Sequence, residues 1–438
     1  MAAFIHSDEA RSAAAKAVRD WLGAEPDTTS ALLLVDLFGK LRVVLFSKGN
    51  SAIGDVAPLI DGLAHVCGPW WTGDALAASS LDENTRSIFV AALEASRPDE
   101  AEARLHIVDR HRSRTAWFSD TAPQPWAAPK DGPPIIVFYS FKGGLGRSTL
   151  LAAFAIQRAR AGQRVCVVDF DLDSPGIGRL LSADSDGLTA QWGLVDFLLE
   201  HQMPDLQFND YWHRCDRVSA EGEIRVMPAG RLKESAGENA TYPDKLGRVD
   251  MEESPAAHES GLWKLLNRIR DEMRPDWILL DARTGISEPA GQLLSGFSHL
   301  HVLLGTIQEQ SWLGLDIVLD RLGKDRILAD EPQAEVLLVQ AMVPVNEPGQ
   351  WARKTFAGQS EQAFEDRYYA AADASQDRFW TVDDKQSQDA PHVPWPIEYD
   401  PRLASFGDIS EVADALCAGS HGSIGAQIVS RFVAEEKL

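Results

Sequence analysis

A nine-residue stretch of glycines, two cations and two hydroxyls could bind the phosphates of a nucleotide. Glycine lets the backbone turn tightly, so that several N–H groups can point at one anion. A helix that begins directly after the stretch would add the partial positive charge of its N-terminus. A hydroxyl after the last cation stands where a nucleotide-bound Mg²⁺ needs an oxygen ligand. The stretch reads Phe141-Lys142-Gly143-Gly144-Leu145-Gly146-Arg147-Ser148-Thr149.

The stretch departs from the usual phosphate-binding motif at two positions. That motif, G-x-x-x-x-G-K-[ST], has glycine first and lysine before the hydroxyl. This chain has Phe141 and Arg147 at those positions, and an additional Lys142. A guanidinium is broad and planar whereas an ammonium is compact, so Arg147 leaves the backbone nest intact but bears on the rate of hydrolysis. The alternative interpretation is a glycine-rich turn between a buried strand and a helix.

Carboxylates end two of the predicted strands. Asp169 and Asp171 close the apolar segment that precedes them, and Asp281 closes the segment 277–280. A carboxylate at a strand end can hold or polarise an attacking water, or hold a water on Mg²⁺. We therefore predict that Asp169 and Asp171 are catalytic. The alternatives are aspartates that cap the following helix and a solvated strand end.

The elements that would position these residues alternate between apolar strands and helices. Such alternation predicts an α/β fold, with a mostly parallel sheet covered by helices on both faces. Ligands bind beyond the carboxyl ends of the strands in such sheets, where the loop 141–149, Asp171 and Asp281 all lie. The predicted strands are 134–140, 163–170, 223–227, 277–280, 299–304, 335–342 and 392–395.

The chain is predicted to divide into a small α+β domain (1–120), a proline-rich linker (121–133) and the nucleotide-binding domain (134–438). In the small domain we expect three helices and two hairpins, the second formed by 104–108 and 115–118. We find no catalytic set of residues there. The polar segment 231–260 is predicted to be a surface insertion.

Composition indicates a cytoplasmic soluble protein. The 438 residues carry a net charge of −23, which argues against a protein that coats DNA non-specifically. Four scattered cysteines without C-x-x-C spacing favour a reducing compartment and argue against a zinc site. No apolar run reaches transmembrane length, and no leader opens the chain. An apolar stripe with Ile424 and Ile428 could bind a membrane surface, although such stripes usually pack against their own domain.

These motifs resemble those of the ParA/MinD-like P-loop ATPases, which have a deviant loop of the form KGG-x-G-K-[ST]. The similar segments are Lys142 to Thr149, VVDFDLDSPG at 167–176 and DWILLDARTG at 276–285. The chain is most similar to a variant branch with arginine in the loop. The resemblance covers about residues 134–435 and leaves the first 130 outside.

The resemblance implies roles for individual residues. Lys142 would reach the phosphates of the partner subunit in a nucleotide-sandwich homodimer and assist catalysis, and Asp171 would orient the attacking water. Nucleotide contacts would come from Lys142, Gly143, Gly144, Leu145, Gly146, Arg147, Ser148 and Thr149, and near the base from Gln340, Pro344 and Pro401. Ser148, Asp171 and Asp281 would hold Mg²⁺, and Thr284 and Gly285 would form a switch that senses the γ-phosphate.

The function implied is an ATP-dependent dimerisation switch with slow hydrolysis. Its output would be a protein partner bound through the N-terminal domain, in a bacterial defence or conflict system. The alternative is a nucleotide-binding scaffold that does not hydrolyse ATP. A DNA-partition ATPase is a lesser alternative because of the negative charge.

Overall fold

The computed structural model describes residues 5–48, 53–96, 98–99, 101–111, 115–118, 123–231, 241–249, 260–372, 374, 379–387 and 389–432. Internal contacts divide the chain into two units, Met1–Ser113 and Arg114–Leu438. Among the described residues, no helix combines the length and the apolar character needed to cross a membrane.

The first unit is a four-stranded sheet with helices on both faces. The sheet has the order β3-β2-β1-β4; β1 and β2 are antiparallel, and the other two pairs are parallel. Helices α1 and α2 cover one face of the sheet, and α3 covers the other. The elements are α1 (Ser7–Leu22), β1 (Thr29–Val35), β2 (Leu41–Ser47), α2 (Ala57–Cys67), β3 (Trp71–Ala77), α3 (Glu83–Ala95) and β4 (Leu105–Asp109).

The predicted second hairpin of this unit is wrong. Strand β4 pairs in parallel with β1, from Ala31 opposite Leu105 to Val35 opposite Asp109. Residues Thr115–Trp117 form a short 3₁₀ turn that belongs to the second unit. The first hairpin and the three helices are confirmed.

The second unit contains an eight-stranded sheet of order β12-β11-β10-β5-β9-β6-β8-β7, which is parallel except for β7. The predicted α/β fold with a mostly parallel sheet is therefore confirmed. The strands are β5 (Ile135–Ser140), β6 (Arg164–Phe170), β7 (His213–Arg214), β8 (Glu223–Met227), β9 (Trp277–Ala282), β10 (Leu300–Gly305), β11 (Val336–Val343) and β12 (Trp395–Glu398).

Helices cover both faces of this sheet. One face packs against α4 and the C-terminal helices, and the other packs against α6, α8, α9, α10 and α12. The helices are α4 (Arg147–Arg160), α5 (Ile177–Leu180), α6 (Leu194–Glu200), α7 (Thr241–Leu246), α8 (Gly261–Arg268), α9 (Glu288–Leu293), α10 (Glu309–Leu319), α11 (Asp325–Leu328), α12 (Glu347–Arg367), α13 (Pro401–Ala404), α14 (Ala413–Leu416) and α15 (Gly419–Ser430).

Three sequence predictions concern segments at the margins of this unit. Ile424 and Ile428 are buried under the sheet, so the C-terminal apolar stripe packs against the domain. Most of the predicted insertion 231–260 lies outside the described residues, apart from 231, 241–249 and 260. The domain boundaries stay a prediction.

Part of the predicted linker packs against the second unit. The Trp126 indole is buried and donates to the Pro133 carbonyl at 2.8 Å. The Ile135 N–H donates to His299 Nδ1 at 3.0 Å, so Nε2 carries the ring proton and donates to the Trp126 carbonyl at 2.8 Å. Residues 123–133 are therefore anchored by tertiary contacts.

A glycine in α10 makes room for the first residue of the glycine-rich loop. A Cβ built on Gly314 would lie 1.9 Å from Cγ of Phe141, a distance that no packed side chain tolerates. Residue 314 is buried inside the helix, where glycine is otherwise unfavourable. The close approach of α10 to Phe141 therefore explains this glycine.

We predict that Gly314→Ala destabilises the protein by about 1–3 kcal/mol, because the added methyl overpacks the site and displaces Phe141. Gly358→Ala in α12 is the matched control, since its Cβ would meet nothing within 4 Å. The control is expected to be neutral or stabilising by up to about 1 kcal/mol. Urea unfolding measures both, and equal effects at the two positions would contradict the packing argument.

Candidate nucleotide site

The loop after β5 forms an open concavity at the start of α4. Gly144 and Gly146 have φ angles of +78° and +81°, which glycine adopts without strain. A Cβ built on either of them, or on Gly143, would meet no atom within 4 Å. Helix α4 begins at Arg147 and is 14 residues long, so its N-terminus faces this space with its partial positive charge. The predicted strand, loop and helix are therefore present.

Lys142 is held on the exposed side of the loop. Its Nζ donates to Oε1 of Gln308, just before α10, at 3.2 Å. The Ser140 hydroxyl donates to the Lys142 carbonyl at 2.8 Å and fixes the backbone there. The ammonium is thus engaged with the residue that precedes α10.

Arg147 joins the two strand-end carboxylates. Its Nε donates to Oδ1 of Asp281 at 2.6 Å, and its Nη2 donates to Oδ2 of Asp171 at 3.0 Å. The hydroxyl of Ser148 donates to Oδ2 of Asp281 at 2.6 Å. Arg147 is only 8% exposed, and Asp281 is fully buried. Three of the predicted site residues therefore lie together around the guanidinium of Arg147: Ser148, Asp171 and Asp281.

Charge and burial oppose each other in this cluster. Burial disfavours the charged guanidinium, but Asp281 and Asp171 outweigh that effect and raise the pKa of Arg147. Complete burial raises the pKa of Asp281, although Arg147 and the Ser148 hydroxyl act in the opposite direction. The ion pairs with Asp171 and Asp281 therefore stabilise the charged form of the buried Arg147.

Two buried polar atoms of the cluster have no hydrogen-bond partner among the residues that the structure describes. They are Nη1 of Arg147, which is a donor, and Oδ1 of Asp171, which is an acceptor. Buried polar atoms are nearly always hydrogen-bonded, so each unpaired atom calls for an explanation. A phosphate oxygen would satisfy the donor, and a water molecule would satisfy the acceptor.

Asp169 organises the loop that carries Asp171. Its Oδ1 accepts from the Asp171 N–H at 3.1 Å, and its Oδ2 accepts from the N–H groups of Gly176 and Gly178 at 3.1 and 3.4 Å. Burial, with Asp281 nearby, raises the pKa of Asp169 to about 8 against the effect of those bonds. Both oxygens are engaged with the backbone, as in the capping alternative, and the predicted catalytic role stays a prediction.

The loop after β9 lies beside the glycine-rich loop. The Tyr139 hydroxyl donates to the Gly285 carbonyl at 3.2 Å, and Gly285 has a φ of +69°. Arg283 forms an ion pair with Asp173, which links the loops after β6 and β9. Thr284 lies between these two contacts and is half-buried. The predicted switch residues are therefore next to the candidate phosphate site.

Two residues that hold the loop after β6 in place were not predicted from the sequence. Tyr242 donates its hydroxyl to the Leu172 carbonyl at 2.7 Å, directly after Asp171. Arg283 pairs with Asp173, and the motif that contains Arg283 does not indicate this partner. Neither pairing has a local sequence signal, since the partners are far apart along the chain.

The residues predicted to contact the base do not come together. Gln340 is buried, and its side-chain amide donates to the Ala352 carbonyl at 3.0 Å, so its polar group serves α12. Pro401 lines a cavity of about 380 Å³ at the carboxyl ends of β11 and β12, whereas Pro344 does not. Other residues around the cavity are Val345, Tyr399, Asp400, Arg402, Leu403 and His421.

The site suits phosphate better than a metal ion. The open loop and the unpaired Nη1 of Arg147 match an anion. The oxygens predicted to hold Mg²⁺ are largely engaged, because both oxygens of Asp281 and one of Asp171 accept bonds within the cluster. Among the described residues, no group of three or more His, Cys, Asp or Glu side chains could hold a metal. Because a buried guanidinium is already paired with both carboxylates, the donor set as arranged does not fit Mg²⁺.

Comparison with known proteins returns partial similarities, and no family model matches the chain. The cytosolic Fe-S cluster assembly factor CFD1 of Chaetomium globosum is 28% identical over 117 residues, 26% of this chain and 35% of that protein. The assembly factor nubp2 of Xenopus tropicalis is 43% identical over 51 residues, 12% of this chain and 19% of that protein. The chain thus spans about a third or less of the length of these curated relatives.

Among solved structures, ParA of pNOB8 bound to nonspecific DNA is 17% identical with a TM-score of 0.46, covering 68% of this chain and 98% of that chain. A ParA family ATPase from Chlorobium tepidum is 14% identical with a TM-score of 0.44, and MinD from Pyrococcus furiosus is 16% identical with a TM-score of 0.39. Each of these two alignments covers 68% of this chain and 99% of the other protein's chain. ParA and MinD are the proteins whose motifs this chain resembles.

We predict that Arg147→Ala lowers the free energy of unfolding by about 3–5 kcal/mol, because it leaves two buried carboxylates without their cation. Arg164→Ala is the matched control, since Arg164 is exposed at the start of β6, and its effect should stay within about 0.5 kcal/mol. Urea unfolding of both variants is the measurement. A loss as small as that of the control would show that the cluster contributes little to stability.

Proposed function

We propose that the second unit binds ATP at the loop 142–149 and acts as a dimerisation switch with slow hydrolysis. The observation that carries the proposal is the open glycine loop beside two buried, unpaired atoms, one a donor and one an acceptor. Phosphoryl transfer needs both, because the protein must hold the phosphate oxygens and orient a water.

The phosphates would lie against the backbone of the loop and the start of α4. Backbone N–H groups and the helix dipole stabilise an anion there without a mobile side chain. Nη1 of Arg147 would donate to a phosphate oxygen from inside the site, and Lys142 would donate from the exposed side. Two cations and a nest of N–H groups balance much of the charge of a triphosphate.

Asp171 would orient the attacking water. Its Oδ1 is an unpaired acceptor, while its Oδ2 and backbone are fixed by Arg147 and Asp169. A carboxylate that is held this way can accept a hydrogen from water and position its oxygen for attack. Because Oδ2 accepts from the guanidinium of Arg147, only Oδ1 of Asp171 is left to orient the water, which supports slow turnover.

The contacts between the loops support a switch. The ion pair of Arg283 with Asp173 joins the loops after β6 and β9, and the bond from Tyr139 to Gly285 joins the second loop to β5. A change at the phosphates can therefore reach both loops. Lys142 is half-buried at the same rim, where a second subunit could contact its ammonium. The protein partner controlled by this switch would bind the first unit, in keeping with the defence systems that the resemblance implies.

The base would occupy the cavity lined by Pro401. In the strand order, β11 is two strands from β5 and β12 is three, which places the cavity on the order of 10–15 Å from the loop. Tyr399 and His421 offer ring surface there, and Asp400 and Arg402 offer polar groups. The cavity is thus on the same edge of the sheet as the phosphate site.

A scaffold that binds ATP without hydrolysis is the second candidate, and the contact of Arg147 with Asp171 favours it. DNA partition has less support, because the net charge of −23 opposes contact with phosphate backbones. A role in carrying an Fe–S cluster, as the names of the curated relatives would suggest, is not supported either. A cluster is held by several neighbouring cysteines, whereas the four cysteines here are scattered along the chain without C-x-x-C spacing and three of them are buried.

We predict that ATP converts the purified protein to a dimer and that phosphate is then released slowly. Lys142→Ala and Asp171→Ala should each lose dimerisation, and Asp171→Ala should lower phosphate release by about 100-fold because the water is no longer oriented. Light scattering after size exclusion and a phosphate assay on the same samples measure both.

Lys354→Ala is the control for Lys142, since Lys354 is an exposed lysine on α12. Unchanged phosphate release in Asp171→Ala, with ATP binding retained, would contradict the hydrolytic switch. Binding without a change of mass in the wild type would favour the scaffold.

A further inference from the structure

We infer that Arg147 is the resident cation of this site and takes the place of a divalent metal ion, so that ATP binding does not require Mg²⁺. The inference rests on the proposed function, since it concerns how the same site neutralises a triphosphate. It follows from which oxygens the guanidinium occupies and from the one nitrogen that it leaves unpaired.

The guanidinium of Arg147 and the Ser148 hydroxyl donate hydrogen bonds to the carboxylate oxygens that a metal ion would use. Oδ1 of Asp281 accepts from Nε of Arg147, and Oδ2 accepts from the Ser148 hydroxyl, both at 2.6 Å. Oδ2 of Asp171 accepts from Nη2 of Arg147 at 3.0 Å. The Ser148 oxygen itself lies 3.4 Å from the same Nη2. Of these five side-chain oxygens, Oδ1 of Asp171 has no hydrogen-bond partner in the described part of the chain.

Arg147 is well held where it lies. Charge-assisted hydrogen bonds to two carboxylates are short and directional, and both carboxylates are buried. Without Arg147, the carboxylates of Asp171 and Asp281 would be buried next to each other without a cation, which is strongly unfavourable. A metal ion that used these carboxylate oxygens would have to displace the guanidinium from both aspartates.

Arginine can serve the carboxylates and a phosphate at the same time. The guanidinium has five N–H donors in a fixed plane, on three nitrogens. Nε and Nη2 are used by the two aspartates, and Nη1 is buried without a partner. A lysine ammonium is a single point charge and could not span both aspartates and also reach an anion. The residue type at position 147 therefore suits a site with a built-in cation.

The direct test compares ATP binding in excess MgCl₂ and in excess EDTA, by isothermal titration of the full chain with sodium ATP. For the wild type we expect the dissociation constant to change by less than about threefold between the two buffers, which corresponds to about 0.65 kcal/mol. The wild-type comparison does not depend on any variant being folded.

Arg147→Lys should restore the requirement for metal, with binding weakened by about tenfold or more in EDTA, because lysine cannot neutralise both aspartates. Arg164→Lys is the matched control on an exposed arginine and should behave as the wild type. Circular dichroism on each sample checks that the variants are folded.

Each outcome decides the matter. A wild type that binds equally in both buffers, with a metal-dependent Arg147→Lys, supports the inference. A wild type that binds only with Mg²⁺ overturns the inference and leaves the proposed function standing. Failure to bind ATP in either buffer overturns the proposed function, and the inference with it.

Discussion

A guanidinium buried between two aspartates is the interaction on which the rest of the second unit depends. Arg147 comes from the first turn of α4, Asp171 follows β6, and Asp281 lies in β9. One side chain therefore joins a helix to two strands at the carboxyl edge of the sheet. Burying such charges is costly unless all are paired, so the sheet edge and the loop can form this arrangement only together.

The glycine-rich loop is held from two sides. On the inner side, Arg147 fixes the start of α4. On the outer side, Phe141 packs into the space left by Gly314, and Lys142 contacts Gln308 at the start of α10. An anion that bound Lys142 would therefore act on α10, and an anion that bound Arg147 would act on the strand ends. This double attachment gives a physical route from bound phosphate to the surface of the unit.

Side chains of neighbouring residues hold the strand-end loops in position. Asp169 gathers three backbone N–H groups of the loop that carries Asp171, and Tyr242 holds the next carbonyl in that loop. Arg283 ties this loop to the one after β9. Positioning of this kind costs little when the supporting group is rigid, and it preorganises Asp171.

Local pattern was enough to predict the α/β fold, six strands of the large sheet and the glycine-rich loop between β5 and α4, because apolar runs and glycines act over short distances. The seventh predicted strand, 392–395, overlaps β12 only at Trp395. It also placed Asp171 and Asp281 at one edge. Tertiary structure alone decided that Arg147 pairs with both, that the polar group of Gln340 serves α12, and that β4 pairs in parallel with β1. The physical reason is that ion pairs and strand partners join residues that are distant in sequence, so only the folded chain determines which donor reaches which acceptor.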